Sequence, residues 1–77
     1  MRNEKIDSPA LTYFSKKLAE ERKRRKISQE KLAMLAGITR VYPSNVERMV
    51  VMPSIEYMHK MISALGMTVS EFFADFK

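Results

Sequence analysis

The 77-residue chain has no cysteine and no tryptophan, and only two glycines, three prolines and one histidine. Without cysteine there is no disulfide and no thiolate metal site, and the lone His59 cannot assemble a zinc site by itself. No apolar stretch approaches the roughly 18–20 residues that a membrane-spanning helix needs. Residues 1–7 scatter Arg2, Glu4, Lys5 and Asp7 around one isoleucine, which is not the basic-then-apolar pattern of a secretory signal, so the expected location is the cytoplasm. Also missing are the arrangements from which enzymes are built: a nucleophile with its base, paired carboxylates, a glycine-rich phosphate loop or a metal cluster. The expectation is a protein that is not an enzyme, with no cofactor, no metal and no small-molecule ligand.

What remains is 45% hydrophobic and 30% charged, a globular balance. A chain of this length holds one small core, since a domain near this size buries only about 60% of its unfolded surface. Residues 1–77 are expected to form a single domain, with residues 1–8 as a flexible tail. The net charge is +5 and the isoelectric point is about 9.8. The charge is unevenly placed: residues 16–48 hold ten Lys or Arg against four acids, whereas residues 49–77 hold two against three. Clustered basic charge of this kind suits a polyanionic partner, because neutralising phosphates releases counterions.

Helical spacing runs along the whole chain, and strand-like alternation is absent. Ser8-Pro9 is a cap followed by a first-turn proline, and Leu11, Phe14, Leu18 and Arg22 then share one face, predicting a helix over residues 9–25. Ser28 opens a second helix with Leu32, Ala33 and Ala36 inward, and Gly37 ends it. Thr39 restarts a helix to about residue 48, with Val46 inward. Pro53-Ser54 caps a fourth, whose stripe is Ile55, Met58, Ile62 and Leu65 and whose end is Gly66. Thr68 and Glu71 are spaced as a capping box for a last helix carrying Phe72, Phe73 and Phe76. The predicted fold is all-α, a compact bundle of five helices.

The second and third helices with the glycine turn between them form a helix-turn-helix arrangement. Ala33 is small where the helices approach, Gly37 reverses the chain, and Ile38 and Val46 anchor the third helix so that its other face can enter a major groove about 12 Å wide. Residues 28–33 (SQEKLA), 36–40 (AGITR), 46–48 (VER), 53–56 (PSIE) and 65–73 (LGMTVSEFF) together resemble the lambda-repressor-like helix-turn-helix family, over about residues 11–73. Within it, the length and the Arg40-Val41-Tyr42 start of the recognition helix are most similar to the controller proteins of bacterial restriction–modification systems. Small phage-type repressors and the antitoxins of toxin–antitoxin pairs share almost all of these motifs.

The resemblance implies a sequence-specific regulator that binds a paired operator in double-stranded DNA as a homodimer. Carried over by position, Arg40, Val41, Ser44 and Asn45 are expected to read bases. Arg40 suits guanine, Asn45 adenine and Val41 a thymine methyl. Gln29 is expected to hold a phosphate and brace a neighbour, Thr39 to hold a phosphate as the cap of the recognition helix, and Arg48 to meet the backbone from its far end. Lys31 is open between phosphate and solvent, and Tyr42 between phosphate and packing. Arg22 and Glu47 match the family's structural ion pair. Residues 23–26 read as a solvated basic face. Met52, Phe72, Phe73 and Phe76 are more apolar than one small core requires and are expected at a dimer interface.

Three positions depart from the family pattern. Pro43 stands where an aliphatic residue packs inward, and it can delay the start of the recognition helix. Lys26 replaces a glycine, at little cost if the turn stays near helical geometry. Residues 49–52 (MVVM) replace a glycine-containing polar loop and suit either burial or cover by another protein surface.

Overall fold

In a computed structural model, which describes residues 7–77, the chain forms five α-helices and, among those residues, no strand. They are α1 (Pro9–Arg24), α2 (Gln29–Ala36), α3 (Tyr42–Glu47), α4 (Ile55–Ala64) and α5 (Val69–Phe72). Most of the tail expected over residues 1–8 lies outside the described residues. Ser8 is no tail residue: its hydroxyl accepts the Leu11 N–H at 3.2 Å and starts α1.

Four of the five starts are made by a hydroxyl three residues ahead of the N–H it accepts. Ser28 caps α2, Ser54 caps α4, and Thr68 and Glu71 exchange bonds of 3.0 and 2.9 Å in a reciprocal capping box at α5. The ends of α1 to α4 share one pattern, a left-handed residue followed by an apolar one whose N–H reaches back five residues. The pairs are Lys26-Ile27, Gly37-Ile38, Met49-Val50 and Gly66-Met67. Only two of the four left-handed residues are glycine. Lys26 (φ 57°) and Met49 (φ 63°) carry side chains there, so the condition under which Lys26 would cost little, a turn near helical geometry, is not met and the turn after α1 is strained.

The third helix also begins later than its pattern predicts. A helix starting at Thr39 would need the N–H of residue 43 to bond the Thr39 carbonyl, and Pro43 has none. The Tyr42 N–H takes that carbonyl instead, at 3.0 Å, and closes a turn over residues 39–42. Helix α3 then starts with Pro43 in its first turn and Val41 as a cap residue that makes no side-chain bond. Thr39 is therefore not the cap. Pro43 is fully buried and itself fills the inward position.

The core is a continuous cluster of Leu11, Phe14, Leu18, Leu32, Val46, Met61, Ile62, Leu65 and Phe72. Ile55, expected on the buried stripe of α4, is 80% exposed. Two long-range polar bonds lock the helix ends. The Tyr13 hydroxyl donates to the Phe72 carbonyl at 2.7 Å, and Arg25 donates to the Leu65 carbonyl at 2.6 Å while also binding the Glu21 carboxylate. Arg25 is exposed with its basic neighbours, but its guanidinium also ties α1 to the end of α4. Glu21 is buried, and the Arg25 hydrogen bond, aided by Lys17 and Arg24, holds its carboxyl below the usual range against the opposing effect of burial.

Candidate nucleic-acid interface

Helix α3 is short and carries no side-chain cap, so its orientation depends on tertiary bonds. Arg22 Nε and Nη2 donate to the two oxygens of Glu47 at 2.9 and 3.1 Å, while Nη1 donates to the Ile27 carbonyl at 2.9 Å. The pair is largely buried, with side chains 11% and 9% exposed. Gln29, first residue of α2, donates its amide to the same carboxylate at 2.9 Å. One carboxylate at the end of α3 thereby ties it to both α1 and α2. The planar guanidinium fork makes this a directional lock, since two parallel bonds fix an angle as well as a distance. At the other end, Tyr42 lies edge-on against Tyr57 of α4, ring centroids 5.0 Å apart. Burial, reinforced by Tyr57, raises the Tyr42 phenol above its ordinary pKa. Of the two roles open to Tyr42, the structure shows the packing one.

With α3 held on its inner side by Pro43 and Val46, the four base-reading candidates fall into two groups. Ser44 and Asn45 lie on α3 and are partly exposed. Arg40 and Val41 lie not on the helix, as expected, but on the turn before it, and both are well exposed. Arg40 comes within 3.9 Å of Glu30, an exposed pair that holds it weakly. The Asn45 carbonyl accepts from Arg48 Nη2 at 2.5 Å, so its N–H₂ is the side left free to donate to a base edge. Arg48 and Lys31 are exposed. Thr39 is exposed too, but it stands three residues before α3, so a helix N-terminus does not support a phosphate role for it.

The expected dimer residues divide in the same way. Phe72 is 0% exposed, packed on Phe14 and Tyr13, and has no surface to offer a second subunit. Phe76 and Met52 are exposed and Phe73 is half-buried. An apolar groove between α4 and α5 brings Phe73 together with Ile55, Met58 and Val69, which the sequence reading left out of the interface. Helical spacing identifies the side on which Ile55 lies, but not whether another helix covers that side.

Residues 18–72 match the helix-turn-helix family. The chain is 35% identical to the restriction-modification controller protein C.AhdI from Aeromonas hydrophila, with a TM-score of 0.79 over 86% of this chain and 100% of that one. It is 25% identical to the controller C.Esp1396I, with a TM-score of 0.84 over 88% and 87% of the two chains. C.Esp1396I is also known as a tetramer in complex with its natural 35 base-pair operator. Over 60 residues the chain is 35% identical to the transcriptional regulator PuuR of Escherichia coli, and it spans about a third (32%) of that relative's length. No helix among the described residues is long and apolar enough to cross a membrane. By the family match, and by a likeness that covers 86% of its length to a solved controller protein, the chain belongs to the helix-turn-helix family of DNA-binding regulators.

Proposed function

We propose that this protein is a cytoplasmic, sequence-specific transcriptional regulator that binds a paired operator as a homodimer, in the manner of a restriction–modification controller. The observation that carries the reading is the lock on α3. Glu47, bonded to Arg22 and Gln29, fixes the helix that carries Ser44 and Asn45, which has no side-chain cap of its own, and Arg40 and Val41 stand on the adjoining turn. Base readers on a prefixed element lose little freedom on binding, so their hydrogen bonds discriminate between bases. The likeness to a controller protein over its entire length favours that subtype over an antitoxin.

For the dimer we commit to the α4–α5 groove as the shared face and a second copy of the chain as its occupant. Ile55 (80% exposed) and Val69 (44% exposed) form an apolar rim there. A twofold dimer of this kind is expected to present its two α3 helices to half-sites one DNA turn, about 34 Å, apart. Ile55→Asp should yield monomers in sedimentation with the helical spectrum retained, and a dimer surviving both Ile55→Asp and Val69→Asp would exclude this face. A footprint on the DNA upstream of the protein's own gene tests the reading as a whole. Two protected half-sites centred one turn apart are expected, and equal affinity for a scrambled duplex would overturn it.

A further inference from the structure

Arg22, Arg25 and Glu21 are consumed by the fold, but two lysines of the same helix are not. Lys16 and Lys23 are exposed and line a groove of about 620 Å³ between α1 and the far end of α3. Gln29 and Arg48, both expected to contact the DNA backbone, line the same groove. Its floor includes Ser15 and Ala19, whose short side chains leave room for a sugar–phosphate strand. Two acidic residues are present. Glu47 is neutralised by Arg22, which leaves Lys16, Lys23 and Arg48 facing the single exposed carboxylate of Glu20.

We propose that one strand of the bound duplex runs along this groove, with Lys16 and Lys23 each contacting a phosphate on the flank of the half-site. Seven residues at 1.5 Å of rise put the two lysines about 10 Å apart on one side of α1, a separation from which two flexible stems can reach different phosphates of one strand. The inference rests on the DNA-binding reading and extends it. The bases are read by the turn and α3, whereas α1 supplies sequence-independent grip that takes over from the polar loop replaced by residues 49–52. Lysine suits that task because an ammonium on a flexible stem follows a phosphate without demanding one geometry.

The test is the salt dependence of binding, measured by anisotropy on the protein's own upstream duplex and on a scrambled duplex. The double variant Lys16→Ala/Lys23→Ala should make log K against log salt shallower by about 1.8, the loss of about 0.9 per phosphate contact. It should also weaken both duplexes by the same factor and leave the melting temperature unchanged, since both side chains are exposed. The double variant Lys60→Ala/Lys77→Ala removes equal charge away from the groove and should leave the slope as it is. An unchanged slope in the groove variant, or an equal fall in the control, overturns the proposal. Loss of base discrimination in the wild-type protein overturns the base-reading proposal alone, because the slope still counts phosphates on either duplex.

Discussion

Replacing Lys26 with glycine should make the protein more stable, although it removes a side chain and adds none. Lys26 sits at φ 57° in the turn that ends α1, held there by its N–H on the Lys23 carbonyl at 2.9 Å and by the next N–H, of Ile27, on Arg22 at 3.2 Å. A residue with a Cβ in this conformation carries about 1–2 kcal/mol of steric cost. Glycine removes that cost but adds about 0.4–1 kcal/mol of chain entropy to the unfolded state. The side chain is exposed, so little packing is lost. The net gain should be about 0.5–1 kcal/mol, a rise of roughly 2–8 °C in melting temperature for a domain of this size. Urea unfolding measures it directly, with Lys26→Ala as the control, since alanine loses the same charge and keeps the Cβ. Glycine should exceed alanine by about 1 kcal/mol. If the two variants unfold together, the left-handed strain is not there. Met49→Gly relaxes the same strain at φ 63°, but its side chain packs against the core. Losing part of the roughly 1.5–3 kcal/mol that a buried methionine contributes should cancel the gain or reverse it.

Glu47→Ala should cost about 3–5 kcal/mol in urea unfolding because it strands the Arg22 guanidinium, whereas the double replacement Arg22→Met/Glu47→Leu should recover most of that loss; equal losses would mean that the charge is not stranded. Asn45→Ala should lower affinity for the specific site by about 1–3 kcal/mol and relax one base position, and an unchanged operator preference would remove Asn45 from the readers. Glu21 has a lowered pKa, so its contribution is complete above its unfolded value, about pH 4.3, and is lost as pH falls through the lower folded value. Arg25→Met should therefore destabilise the protein at neutral pH and flatten the fall in stability below about pH 4; an acid limb as steep as in the wild type would exclude this pair as its cause.

The helices were legible because their signals are local. Ser8, Ser28, Ser54 and Thr68 each cap an N–H three residues on, and the inward faces of α1 and α2 repeat every three or four residues. The late start of α3 was half-legible: Pro43 announces it, yet only the turn closed by Tyr42 on Thr39 shows that Arg40 and Val41 fall outside the helix. Arg25 is exposed as its basic neighbours suggest, but its bond to the Leu65 carbonyl was not legible because that partner is forty positions away.

By itself, the order of residues determined where most helices begin and end, which side of each is apolar, and that a helix-turn-helix stands at the centre of the chain. All of these follow from interactions within about five residues. Tertiary structure alone decided that Phe72 is core and Ile55 is surface, that Lys26 and Met49 accept a left-handed backbone, and that Gln29 joins the ion pair of Arg22 and Glu47. Periodicity gives a side chain its direction, but burial, strain and ion pairing depend on which other segment arrives there, and that is settled only when all five helices pack at once.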